Sequence, residues 1–281
     1  MTSYKTATTI DGRYVPPGKA VVSVFDNSLL YSEGLFETLL AIEDRPIFAI
    51  EHLARLNRGA SLIGLPVPVS DETLRKWMVS TLRRHPDRVK KLRLTITSGE
   101  SARWTGKAGK PRVILSASPH RIPRKPFRLL VSGLRVDQKS VMRNIKTISY
   151  AISAAAIRQA KDRGFDDALL LNERHEIAEV TSANIFWIRS GQVFTPPLSA
   201  GCLEGVTRSH VFRESARLGI RLREKPAGLK ELWSADEIFI SSSLKLVVGV
   251  SEILVDRSLH RFPEGPITRE LVKRFNLLVG V

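Results

Sequence analysis

The chain has 281 residues, of which 44 are basic and 28 acidic, giving a formal net charge of +16. With 43% hydrophobic and 26% charged residues, it has the composition of a globular protein of one large or two modest domains, which excludes disordered and fibrous classes. No apolar run approaches the roughly 20 residues a membrane helix needs. The first twenty residues lack the apolar centre of a secretory signal, and the one cysteine, Cys202, can form no internal disulfide, so a cytoplasmic protein without a membrane partner is expected.

Taken in chain order, Val21 to Phe25 reads as a strand. Leu39 to Ile42 and Ile47 to Ile50 read as a hairpin around the polar turn Glu43 to Pro46. From Glu51, apolar residues at Leu53, Leu56, Ala60 and Ile63 keep helical spacing up to Gly64. Ser70 is a good N-cap for a second helix carrying Leu74, Trp77, Met78 and Leu82, with Pro86 to end it. Alternating stretches at Leu92, Leu94, Ile96 and at Val113, Leu115 predict two strands separated by the loop Ser98 to Lys110. Residues 83 to 128 hold fourteen Lys and Arg against Asp87 and Glu100. Because the strand pattern runs through this block, its charges read as decoration of sheet faces; nucleic-acid binding is the remote alternative.

The three prolines of residues 119 to 127 mark an interdomain linker. It separates a smaller N-terminal α/β domain, residues 1 to 118, from a larger C-terminal domain, residues 128 to 281. The second half predicts a strand at Arg128 to Val131, a helix from about Ile148 to Arg163, and a strand at Ala168 to Leu171. A turn at Asn172 to His175 and strands through Ile185 to Trp187 and Val193 to Thr195 follow. A helix from Thr207 to Leu218 ends at Gly219, after which come strands at Glu237 to Ile240 and Leu246 to Val250 and a helix from Thr268. Mixed helices and hairpins predict an α+β fold with two lobes.

Phosphate-loop, dinucleotide and H-E-x-x-H signatures are missing. The six histidines are scattered and the cysteine has no neighbour at ligand spacing, so no protein-built metal site is expected. Four segments in this order stand out: FDNSLLYSEGLFET (25 to 38), EHLARL (51 to 56), EVTSANIFW (179 to 187) and LEGVTR (203 to 208), with Asn144-Ile145-Lys146 between the second and third. Together they resemble the class IV pyridoxal-phosphate enzymes: branched-chain aminotransferases, D-amino-acid aminotransferases and aminodeoxychorismate lyases. The resemblance runs from about residue 10 to 255.

It implies the two-lobed class IV aminotransferase-like fold, with pyridoxal 5'-phosphate between the domains, and a homodimer whose active site is partly completed by the neighbouring subunit. Lys146 matches the lysine that holds the cofactor as a Schiff base and moves a proton. Glu179 matches the carboxylate that keeps the pyridine nitrogen protonated. Gly205, Val206 and Thr207 open a helix whose free N–H groups suit a phosphate, and Arg55 and Ser243 match further phosphate ligands. Tyr31 and Phe36 stand where relatives line the substrate side, and Glu37 holds the position after that aromatic. Arg93 and Arg103 fall where lyases and D-amino-acid enzymes meet substrate carboxylates. Asn184 reads as a structural polar group, and Tyr150 sits one step nearer the lysine than the tyrosine of many branched-chain enzymes. The implied reaction moves an amino group between a branched-chain or D-type amino acid and a 2-keto acid. The alternative is 4-amino-4-deoxychorismate lyase, which eliminates pyruvate to give 4-aminobenzoate; FET in place of FEG and the pattern RLTITSGESAR lean toward the lyase or D-amino-acid branches.

Overall fold

The computed structural model describes residues 6–100 and 109–281. The chain divides into two compact units: Met1–Arg121 with Ile145–Ser149, and Ile122–Asn144 with Tyr150–Val281. The reading by chain order groups Lys146 with residues 128 to 281, whereas the segment that carries it packs with the first unit.

The first unit is a six-stranded sheet covered by helices. Its strands are β1 (Ala7–Ile10), β2 (Arg13–Val15), β3 (Gly34–Ile42), β4 (Arg45–Pro46), β5 (Val89–Thr97) and β6 (Arg112–Pro119), in the order β2-β1-β6-β5-β3-β4, each pair antiparallel. The helices are α1 (Asn27–Tyr31), α2 (Ala49–Ile63) and α3 (Asp71–Arg83). Period-2 alternation sends Leu35, Leu39, Leu92, Leu94 and Ile96 to one face, where Leu53, Leu56 and Ala60 of α2 and Leu74, Met78 and Leu82 of α3 complete the core. Ser70 caps α3 by accepting from Thr73 N, and Gly64 closes α2 at φ 66°.

Two expectations fail here. Val21 to Phe25 is a loop and turn, with Val21, Val24 and Phe25 each more than 60% exposed. The edge place such a strand would need is taken by the β1–β2 hairpin, whose turn Asp11-Gly12 has both residues at positive φ. Ile47 to Ile50 also leaves the sheet: β4 is two residues long, and α2 begins at Ala49.

In the second unit a nine-stranded sheet is built from β7 (Phe127–Val136), β8 (Asp167–Asn172), β9 (Ile177–Val180), β10 (Asn184–Arg189), β11 (Gln192–Thr195), β12 (Leu222–Glu224), β13 (Glu237–Ser242), β14 (Leu246–Val255) and β15 (Ser258–Arg261). Its order is β12-β11-β10-β13-β14-β7-β8-β9, with β15 on β14. The crossover helix α4 (Ala151–Asp162) makes β7 and β8 parallel, and α5 (Val206–Arg217) does the same for β11 and β12; α6 (Leu229–Trp233) and α7 (Pro266–Val279) complete the unit. All six residues of β8 are buried, as its apolar run suggests, because its two faces pack into separate clusters, Leu169 and Leu171 in one and Ala168 and Leu170 in the other. The helix expected from Ile148 starts three residues later, because Ile148 N donates to Gly34 O as an extended segment. No helix among the described residues is long and apolar enough to cross a membrane.

Candidate active site

In the first unit the site residues gather around β3. Alternation along the strand places Phe36 and Glu37 on opposite faces. Residues 146 to 148 lie antiparallel along β3: Phe36 N donates to Lys146 O (2.9 Å), Leu35 bridges Thr147, and Ile148 N donates to Gly34 O (3.0 Å). This register brings Lys146 beside Phe36, with Nζ 4.3 Å from the ring centroid. The β3–β5 register, Phe36 opposite Thr95 and Thr38 opposite Arg93, carries the Arg93 guanidinium to 3.8 Å from the same centroid. Phe36 is 6% exposed, so two cations meet a largely desolvated aromatic face. Lys146 and Arg93 are themselves partly buried, while Tyr31, the last residue of α1, is half exposed.

Glu37 faces the core, where α2 supplies His52 and Arg55 one helical turn apart. Arg55 grips the carboxylate as a fork: Nε donates to Oε1 at 2.8 Å and Nη2 to Oε2 at 2.6 Å. His52 Nδ1 lies 2.6 Å from Oε2. Burial would raise the Glu37 pKa, but the charge and hydrogen bonds of Arg55, with the bond from His52, overcome it and bring it to about 2. Burial lowers the His52 pKa against the pull of Glu37, and the charges of Arg55 and Lys146 lower it further. At neutral pH His52 is thus a neutral ring donating Nδ1–H to an ionised carboxylate, which can only accept.

The second unit holds the other group. Glu179, on β9, is 9% exposed; Arg143 Nη2 donates to its Oε1 and Leu203 N to Oε2 at 2.9 Å. Arg143 also donates from Nε to Gly201 O at 2.9 Å. Sequence reasoning missed Arg143 and His52. Arg143 stands only three residues before Lys146, and that proximity is the one signal the sequence offered. Asn184, the first residue of β10, donates from Nδ2 to Leu203 O at 2.9 Å, tying the EVTSAN turn to the segment that enters α5.

Gly205 is the N-cap of α5, with no side-chain cap bond among the described residues. A Cβ there would fall 2.0 Å from Asn184 Oδ1, so only glycine fits without displacement. Val206 is buried and Thr207 is 1% exposed, and Thr207 Oγ1 has no hydrogen-bond partner among the described residues. Ser243 lies partly buried in the turn between β13 and β14, where Lys245 Nζ holds Ser182 Oγ at 2.6 Å. Tyr150 is the N-cap residue of α4. Arg103 lies outside the described residues.

Uncapped N–H groups at a glycine-opened helix, together with a buried hydroxyl that lacks a partner, make a cradle for a dianion. Considered by chemistry alone, the amine of Lys146 on a strand edge in the first unit, and the Glu179 carboxylate in the second, are each of the kind that suits a phosphorylated pyridine aldehyde.

The amino-transferase class IV profile matches residues 34–253. The chain belongs to the class IV aminotransferase family. Among its class IV relatives, a Methanocaldococcus jannaschii protein that carries a branched-chain-amino-acid aminotransferase name is 33% identical over 95% of this chain and 94% of its own. A D-alanine aminotransferase of Bacillus licheniformis is 25% identical over 93% of each chain, and an aminodeoxychorismate lyase of Bacillus subtilis 26% over 87% and 85%. A branched-chain aminotransferase from Thermoproteus uzoniensis, solved with norvaline, superposes with a TM-score of 0.90 at 30% identity, covering 98% of this chain and 95% of that one. The T.th. branched-chain amino acid aminotransferase complexed with N-(5'-phosphopyridoxyl)-L-glutamate gives 0.88 at 26% identity, covering 98% and 94%. The class IV fold and enzyme class expected from the four motifs are therefore those of this chain.

Proposed function

We propose that this class IV enzyme uses pyridoxal 5'-phosphate to move an amino group between an amino acid and a 2-keto acid, with branched-chain donors as the leading substrates and D-amino acids next. When bound, the cofactor is an electron sink for charge that develops at the substrate α-carbon. Lys146 Nζ holds the cofactor covalently in the resting enzyme and then carries the proton taken from that carbon. The Glu179 carboxylate retains a proton at the pyridine nitrogen. The N–H groups of Val206 and Thr207, the hydroxyls of Thr207 and Ser243, and Arg55 bind the phosphate, with Gly205 allowing its close approach. Phe36, Tyr31, Arg93 and Arg103 line the substrate side. The observation that carries the reading is the unpartnered Thr207 hydroxyl, 1% exposed, at the uncapped start of α5. A buried polar atom without a partner costs about 1–3 kcal/mol, which a bound phosphate oxygen would recover. A homodimer and a cytoplasmic setting belong to the same reading. The dimer is supported by the exposed apolar run of Val21, Val22, Val24, Phe25, Leu29 and Leu30.

Aminodeoxychorismate lyase chemistry is the second reading, favoured by Arg93, which sets a carboxylate-binding guanidinium over the Phe36 ring beside Lys146. Absorption spectra of the protein with pyridoxal 5'-phosphate, before and after adding L- and D-amino acids, separate the two. A lasting loss of the bound-cofactor band, reversed by a keto acid, establishes transamination, and the responding donor names the substrate. A band that no amino acid converts, with pyruvate released from aminodeoxychorismate, establishes the lyase. Borohydride should fix the cofactor to the wild-type chain and not to Lys146→Ala; fixation in that variant would remove Lys146 from its assigned role.

A further inference from the structure

Glu37 is a charged residue on the core face of β3, flanked by Leu35 and Leu39, and at 1% exposure it touches no solvent. Burying a carboxylate there is costly unless its partners are fixed. Its partners are fixed: two nitrogens of the Arg55 guanidinium and the ring of His52, at 6% and 0% exposure. A strand residue and two residues one turn apart on α2 thus form a closed ionic clamp. The same strand, one residue earlier, holds Lys146 through Phe36 N.

We propose that Glu37 is a positioning residue that locks Arg55 in one orientation, so that the site selects the phosphorylated cofactor through a carboxylate that never touches it. This rests on the pyridoxal-phosphate reading above. A mobile arginine side chain has a large store of rotamer freedom to lose when it is fixed. The fork removes that freedom before any ligand arrives, and it fixes the plane of the guanidinium that would meet a phosphate oxygen. His52 shares Oε2 with Nη2, so the carboxylate cannot rotate away from the fork. Its neutrality leaves the charge on Glu37 to Arg55. The consequence is specific: loss of the clamp weakens recognition of the phosphate and spares recognition of the ring and aldehyde.

The test is a titration of the full-length chain with pyridoxal 5'-phosphate and, separately, with pyridoxal, which lacks the phosphate. Glu37→Gln keeps the shape and removes the charge; Glu37→Asp keeps the charge and retracts it by one methylene, and carries the test if the glutamine variant does not fold. Affinity for pyridoxal 5'-phosphate should fall about tenfold or more, which is 1.4 kcal/mol, while affinity for pyridoxal stays within about twofold. A Glu37→Gln/Arg55→Lys double variant should bind pyridoxal 5'-phosphate no more weakly than Arg55→Lys alone, because both changes remove one device. Equal weakening of both compounds would make Glu37 merely structural and overturn the proposal, as would an unchanged affinity for the phosphate form or an additive double variant. If the wild-type chain binds neither compound, the cofactor reading itself falls, and this proposal with it.

Discussion

Replacing Gly205 by alanine probes how tightly the start of α5 is built. Gly205 has φ −71° and ψ 132°, which any L-residue adopts, so the added methyl carries no backbone strain. Its cost is steric, since the new Cβ would lie 2.0 Å from Asn184 Oδ1 and 3.2 Å from Arg208 Cβ. Asn184 is 6% exposed and anchored through Nδ2 to Leu203 O, so it can yield only by giving up that bond. Breaking the bond costs about 1 kcal/mol net, and more if the carbonyl is left buried and unpaired. Pushing the helix start outward instead is overpacking, which costs about 1–3 kcal/mol. Gly205→Ala should therefore destabilise the protein by about 2 kcal/mol, read as a lower urea midpoint at unchanged slope. Asn184→Ala loses the bond to Leu203 and should cost about 1–2 kcal/mol. In the double variant the obstructing oxygen is gone, so the combined loss should fall short of the sum by about 1 kcal/mol or more. Strict additivity, or a Gly205→Ala stability within about 0.5 kcal/mol of wild type, would refute the steric account of this glycine.

Thr207→Val is nearly isosteric and removes a hydroxyl with no partner among the described residues. Its stability should stay within about 1 kcal/mol of wild type while pyridoxal 5'-phosphate binding weakens about tenfold; a large stability loss would show that the hydroxyl is already satisfied. Glu37 is lowered from 4.5 to about 2 in the folded state. A depressed carboxylate stabilises the fold above its unfolded pKa and loses that contribution as pH falls through the folded one. On the order of 3 kcal/mol should thus disappear between about pH 5 and pH 2 in the wild type, with Glu37→Gln showing that much less acid dependence. Parallel stability–pH curves for the two would sink the assignment. Cys202 is 1% exposed, and burial, with the Glu179 charge beside it, pushes its thiol up to about 12. It should ignore thiol reagents near pH 8 in the native protein and react fully once denaturant is added; rapid native labelling would contradict the burial.

Local signals were legible because they act over a few residues. Helical spacing from Leu53 to Ile63 and from Leu74 to Leu82, the Ser70 cap and the glycines after α2 and α5 all reappear in the structure. The short strands β1, β2 and β12 left no comparable trace, and Val21 to Phe25 misled because its β-branched residues carry strand propensity without a neighbour to pair with. The four motifs carried the family, since each sits in one continuous segment. The partners of those residues were not legible. Arg55 reads as a phosphate ligand from EHLARL alone, yet two of its nitrogens belong to Glu37, eighteen residues away on another element.

By itself, then, the sequence determined composition, the apolar spacing that marks α2, α3 and α5, and the residues that mark the class IV family, all properties of short stretches read along the chain. Tertiary structure alone decided that Lys146 lies on the edge of β3 beside Phe36, that Arg93 shares that ring, and that Glu179 is held by Arg143 and Leu203. Those facts follow from strand register and from helix placement over the sheet. A shift of one residue in a strand turns every side chain to the other face. Register is settled by the burial of the whole core, which no window of sequence contains.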